Sequence, residues 1–350
     1  MSETQAAPTI DDVATEAGVS RSTVSRALGG YGQVSAKARE KVLDAAQRLD
    51  YRVNQIARST RTGRSEALGL VVADVGERFF SAVARGVSDV AHAAGYQVII
   101  ANTDDDAEVE SEAFKVLQQG RVDGLVVAPA QNGASASLFT AQSVHVPIVT
   151  IDRRIADTTV DSIVFDSVHA AFEAVSHLTV AGHRNIAIIT GSSAHLHQPE
   201  GSEVITPGTE RIRGYVDALN SVGIDVYPPN VLRNSREFDE VAADVAQLLS
   251  HRNRPTALFA TDEQHALGTL MGVQQAGLSV PEDVSVVAID DPEWASVVRP
   301  GLSVVAQPSQ EVGELAAKRL LARLSGGVTP ENFVMDYRWI PRGSIARPPG

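Results

Sequence analysis

Past residue 66 the sequence repeats one pattern, a short apolar run followed by a stretch with helical spacing. The runs are ALGLVVAD (67–74), YQVIIAN (96–102), VDGLVVAP (122–129), VPIVTI (146–151), NIAIIT (185–190), TALFAT (256–261) and VSVVAID (284–290). Between the first two, Phe80, Val83, Ala84, Val87, Val90, Ala91 and Ala94 trace one helix face. Strands that alternate with helices in this way predict parallel sheets covered on both faces. Some 270 residues of the pattern, interrupted by polar segments near 152–160 and 291–302, predict an α/β core of two doubly wound lobes around a cleft.

Composition narrows the chemistry. The chain has no cysteine, which excludes disulfides, thiolate nucleophiles and Cys-ligated zinc. The net charge is −13, yet residues 1–65 hold ten Lys/Arg against seven Asp/Glu, so a head of +3 precedes a body of −16. The stretch QIARSTRTGRS (55–65) alone carries three arginines. A basic head on an acidic body suits a protein that presents one end to DNA. With no long apolar run and no signal-like N-terminus, the expected compartment is the cytoplasm, with no membrane contact.

The head reads as three short helices. Thr9 is a fitting N-cap, with Ile10, Val13, Ala14 and Ala17 on one face and Gly18 as the stop. Ser20 caps a second helix with Val24, Ala27 and Leu28 as its buried stripe, ended by Gly29-Gly30, and Ser35 starts a third. Two helices joined this tightly match a helix-turn-helix, whose second helix reads the major groove. Its exposed face carries Arg21, Ser22, Ser25 and Arg26.

The run from TIDDVATEAGVSRSTVSRAL through YRVNQIARSTRTGRS resembles the N-terminal domain of the lactose/galactose-repressor (LacI/GalR) family of bacterial transcription regulators. The resemblance implies a helix-turn-helix domain over 8–53, a hinge over 54–65 and an effector-binding, dimerising core over 66–342. It implies base contacts from Arg21, Ser22 and Arg26, with Ser20, Thr23 and Ser25 on or near phosphates and Thr9 also among the DNA-binding residues. Asn54, Arg58, Thr60 and Arg61 would belong to a hinge helix that folds on the operator. Thr60 stands where the family usually has a leucine wedge, so weaker DNA bending is expected. The partners implied are a near-palindromic double-stranded operator, a second copy of the chain, with helix 79–94 at the dimer contact, and a small-molecule effector. Since the chain stops at ARPPG with no heptad helix, a tetramer is not expected, and that tail and the first seven residues read as disordered.

VAGHRNIAIITGSS, RIRGYVDAL and AGLSVPEDVSVVAIDDPEWASVVRPGLSVVAQP are similar to the same family's core, which shares the fold of periplasmic sugar-binding proteins. Ligands of such sheets bind outside the C-terminal strand ends. That rule selects Asp74 and Phe79 after the first strand, Asp152 and Arg153 after the fourth, and Phe165 and Asp166 at the lobe crossing. By motif match Arg211 clamps the effector, Phe238 stacks on it, Asp290 accepts its hydroxyls with Trp294 just beyond, and Asp262 replaces a ligand-contacting asparagine. Carboxylates beside flat rings favour a sugar or polyol. Competing readings stay open: Asp74, Asp152 and Asp166 as caps or surface charges, Phe165 and Phe238 as core, Arg211 as a lobe salt bridge. Asp104-Asp105-Asp106 reads as a solvated helix start, and His195-Leu196-His197 with Glu200 as a loop rather than a metal site. No nucleophile elbow, P-loop, dinucleotide fingerprint or metal cluster is present, so neither an enzyme nor a cofactor is expected. The leading expectation is a repressor released by a sugar. The alternatives are a purine-type corepressor and, further off, a sugar-binding protein or enzyme without a regulatory role.

Overall fold

The computed structural model describes residues 8–29, 31–51, 64–119, 122–130, 146–155, 160–191, 204–234 and 237–349. The chain divides into two compact units, Met1–Glu66 and Ala67–Gly350. Asn54, Arg58, Thr60 and Arg61, and also His195, His197 and Glu200, lie outside the described residues.

The first unit holds α1 (Ile10–Ala17), α2 (Arg21–Gly29) and α3 (Ala36–Arg48). A capping box starts α1: Asp12 N donates to Thr9 Oγ1 at 3.3 Å while Thr9 N donates to Asp12 Oδ2 at 2.8 Å. Those bonds hold the Asp12 carboxyl below its ordinary range. Gly18, at φ 65°, stops α1 in a left-handed turn that glycine adopts without strain. The helices close over Val13, Ala17, Val24, Ala27, Val42 and Ala45, small side chains that let three short helices pack closely.

The second unit contains two six-stranded sheets. The first, in the order β13-β6-β4-β3-β1-β2, comprises β1 (Ala67–Val72), β2 (Gln97–Asn102), β3 (Gly124–Val127), β4 (Ile148–Ile151), β6 (Asp161–Phe165) and β13 (Asn332–Met335), all parallel. The second, β14-β12-β11-β10-β7-β9, comprises β7 (Ile186–Gly191), β9 (Val231–Asn234), β10 (Ala257–Ala260), β11 (Ser285–Ile289), β12 (Ser303–Ala306) and β14 (Arg338–Ile340), the last antiparallel. A two-stranded sheet joins β5 (Arg154–Ile155) to β8 (Val204–Ile205). Strand residues alternate between two cores, as the pleat requires. Leu68, Leu70 and Val72 meet α4 (Arg78–Ala93) and α11 (Ser309–Leu324), whereas Ala67 and Val71 meet α5 (Ala107–Gln118). In the other lobe Ile186 and Ile188 face α6 (Ser167–Ala181) and α7 (Pro207–Asn220); Ala187 and Ile189 face α8 (Phe238–Ser250) and α9 (Glu263–Gln275).

Helices α4 and α11 pack at backbone contact. A Cβ on Gly313 would stand 2.1 Å from the Val83 carbonyl, and one on Gly86 2.1 Å from that of Gln310. The chain passes between lobes three times, from β6 into α6, from β12 into α11 and from β13 into β14. Asp161, fully buried at the start of β6, ties the C-terminal half of α11 and the segment before β13 to the first lobe. It accepts from Arg319 Nη2 at 2.6 Å, Arg323 Nη1 at 2.8 Å and Glu331 N at 3.1 Å.

The tail departs from expectation, since it is ordered through Pro349. Ser344 is buried and donates to Val286 O at 2.6 Å, while Ala346 N donates to Ser285 Oγ at 3.0 Å. His183 Nε2 lies 2.9 Å from Ala346 O, and burial lowers the pKa of that imidazole. A Pro-rich tail is thus held by partners that its local sequence does not reveal.

Candidate functional site

In the first unit, α2 presents the candidate base-reading face. Ser20 Oγ accepts from Thr23 N at 3.2 Å and lies 2.9 Å from Ser22 Oγ and 2.8 Å from Thr23 Oγ1, so one hydroxyl cluster starts the helix. Arg26 folds back one turn, its Nε donating to Ser22 O at 3.1 Å. Arg21 stands 3.5 Å from Asp11, both exposed, and Ser25 Oγ lies 2.7 Å from the Tyr31 hydroxyl. These are weak, solvent-screened contacts that phosphates or base edges would replace at small cost. Thr9 is committed to its capping box, and only its exposed surface is left to meet a phosphate.

In the second unit, several predicted residues gather at the C-terminal strand ends. Asp152 follows β4 at φ 64° and Asp290 follows β11 at φ 79°. Left-handed backbone is costly for a residue with a Cβ, and strain of this kind concentrates where a side chain must be aimed. Burial pushes the Asp290 carboxyl up to about 6, opposed by the positive charge of Arg211 and by Gln307 Nε2, which donates to it at 2.6 Å. Burial also raises Asp152, opposed by Arg153 and then Arg211. Arg211 therefore acts on one carboxylate from each lobe. Its Nη1 donates to Thr261 O at 2.8 Å, so its bond is to a carbonyl, and its buried Nε has no hydrogen-bond partner among the described residues.

Other predicted residues hold structural posts. Asp74 accepts from Gly76 N at 2.8 Å within its own turn. Arg153, 4% exposed, pairs with Asp105 and donates to Pro129 O at 2.7 Å, which makes it an internal rivet of the first lobe. This revises the aspartate run: Asp106 caps α5, but Asp105 is an ion-pair partner. Phe165 is buried and meets Tyr337 edge-on at 5.9 Å, as the core reading requires. Asp166 caps α6 and Asp262 caps α9, each also 2.7 Å from the imidazole three residues on, His169 and His265. Phe79 packs edge-on against Phe80, and Phe238 is the half-buried first residue of α8. Trp294 is the second residue of α10 (Glu293–Val297), where its Nε1 donates to Glu263 Oε1 at 2.8 Å.

Sequence reasoning missed Glu210, Glu263 and Gln307. Glu210 adjoins Arg211, is raised by burial and bonds Arg154 Nη2 at 2.6 Å. Glu263 adjoins Asp262, so neighbours of the two motif residues were the available signal. Gln307 reaches Asp290 across 17 positions, with no local signal at all.

A helix-turn-helix head followed by a two-lobed core, in which one buried arginine acts on a carboxylate from each lobe, marks the class of ligand-responsive DNA-binding regulators. Residues 9–54 match the family of bacterial regulatory proteins of the lacI type, and residues 175–345 match a periplasmic binding protein-like domain. The ribose operon repressor of Haemophilus influenzae is 32% identical over 340 residues, covering 96% of this chain and 98% of that protein. The lac repressor dimer bound to operator and the anti-inducer ONPF superposes with a TM-score of 0.84 at 27% identity, covering 97% and 99% of the two chains. The regulator CelR in complex with cellobiose gives 0.70 at 28% identity, covering 96% and 99%. The chain belongs to the LacI family, and it is a DNA-binding transcription repressor.

Proposed function

We propose that this repressor acts in the cytoplasm as a homodimer on a near-palindromic operator and is released when a neutral sugar or polyol enters the cleft. The observation that carries the effector reading is Arg211, whose buried, unpartnered Nε lies under the influence of Asp152 from one lobe and Asp290 from the other. A guanidinium between two carboxylates offers both donors and acceptors to vicinal hydroxyls, while the surplus of carboxylates disfavours an anion. The CelR complex with cellobiose supports this choice. Arg21, Ser22 and Arg26 would read bases, with Thr9, Ser20, Thr23 and Ser25 near phosphates; Asn54, Arg58, Thr60 and Arg61 would serve the hinge. Exposed apolar residues on the edge strand β2 (Ile99, Ile100) and on α5 (Val109, Val116) offer a dimer contact beside α4. A monomer in analytical ultracentrifugation at micromolar concentration would contradict it.

Effector binding would shift the lobes and weaken DNA binding, and by linkage DNA must weaken effector binding equally. The test is a DNase footprint on the DNA upstream of the protein's own gene, with competitor DNA and candidate sugars added in turn. A two-fold symmetric footprint lost with one sugar supports the reading. Protection that appears only with a purine reverses the sign to corepression.

A further inference from the structure

Among the described residues, two hydrogen-bonded ion-pair contacts other than the chain crossings join the lobes, and they differ in kind. One is the β5–β8 ladder, in which Arg154 pairs with Ile205 and Ile155 with Val204, reinforced by the Arg154–Glu210 ion pair at 2.6 Å. There Glu210 is 15% and Arg154 40% exposed, so that contact combines backbone hydrogen bonds with a half-sheltered charge pair. The other is made by side chains alone: Arg78 Nη1 donates to Glu293 Oε2 at 2.6 Å and Arg78 Nη2 to Glu293 Oε1 at 2.8 Å. Its members are 43% and 81% exposed.

We infer that the Arg78–Glu293 pair is a releasable ionic clasp that sets the separation of the lobes and thereby positions two walls of the effector cleft. Arg78 opens α4 just after β1, and Glu293 opens α10 just after β11. Phe79 follows the arginine and Trp294 follows the glutamate, so the clasp ties together the two segments that carry an aromatic candidate from each lobe. The fork-to-fork geometry fixes both distance and orientation. Its exposure and its lack of backbone bonds leave it open to salt and to competing ions, whereas the backbone hydrogen bonds of the β5–β8 ladder hold. The positioning of the walls rests on the effector reading; the clasp itself does not.

The absence of cysteine from the chain makes site-directed spin labelling direct. Val328, after α11 in the first lobe, and Val222, after α7 in the second, are both exposed and would be changed to cysteine and labelled. Full-length labelled chains, diluted with unlabelled ones to suppress distances between protomers, are measured by double electron–electron resonance without any added ligand. With the clasp intact a single narrow distance is expected. In Glu293→Gln, and in the parent at 1 M salt (Debye length about 3 Å), a longer distance should gain population. The swap Arg78→Glu with Glu293→Arg should restore the narrow distribution. An unchanged distribution in Glu293→Gln, or failure of the swap to restore it, overturns the clasp. These outcomes are independent of whether any sugar is the effector, which the footprint decides separately.

Discussion

Replacing Arg211 by methionine should destabilise the second unit in a pH-dependent way, with a sign fixed by the carboxylates around it. Asp290 already sits near 6 in the folded protein against an ordinary value of 3.8. A shift of about two units makes the fold roughly 3 kcal/mol less stable at pH 8 than below pH 3.8, on account of this group alone. The sign follows from proton uptake. Between these values the folded state holds the proton more tightly than the unfolded chain, so its stabilising effect is present at low pH and is lost as pH rises through 6. Arg211 is the largest charge opposing the burial cost of Asp290 and the second largest opposing that of Asp152. Methionine keeps the aliphatic volume and leaves two buried carboxylates undercompensated, a loss of about 3 kcal/mol at pH 8 by analogy with broken buried pairs. At pH 5 most Asp290 is protonated in the fold and the loss should be markedly smaller. Both tryptophans, Trp294 and Trp339, lie in the second unit, so urea unfolding followed by their fluorescence reports that unit alone. Equal destabilisation at pH 5 and pH 8 would refute the electrostatic account of the cleft.

Further expectations concern the head and the first lobe. Arg21→Ala should cost about 1–3 kcal/mol in operator binding against competitor DNA, read by gel shift; an undiminished preference would remove Arg21 from the base-reading set. Asp161→Asn strands Arg319 and Arg323 around a neutral amide and should cost about 3 kcal/mol in the thermal stability of the second unit. Gly313→Ala forces a methyl against the Val83 carbonyl and should cost about 1–3 kcal/mol, an unchanged melting temperature showing that α4 and α11 sit farther apart. Thr60→Leu should increase operator bending in a circular-permutation assay, and equal bend angles would sink the wedge argument.

What the sequence determined by itself was local. The capping box at Thr9, the stop at Gly18 and the start of α3 after Ser35 depend on residues within one turn of each other, and each was readable at its own position. Six of the seven apolar runs marked interior strands, because burial on both faces demands a continuous apolar segment wherever it lies; the seventh, YQVIIAN, forms the edge strand β2. Strands β5, β6, β8, β9, β12, β13 and β14 escaped notice; five are short or at edges, where half-polar sequence suffices, whereas β6 and β12 are buried strands whose apolar runs are broken by Asp161, Ser162 and Ser303. In the cleft, the strand-end rule selected Asp152 and the motif match selected Arg211 and Asp290. Only the tertiary structure decided that Arg153 turns inward to Asp105, that Phe165 is core, and that Gln307 answers Asp290. The tail ARPPG makes the same point: its composition reads as disorder, yet Ser285 and His183 hold Ala346. Such partners are set by where the fold brings separated segments together, and pairings across 17 to 163 positions leave no mark on the pattern of either segment.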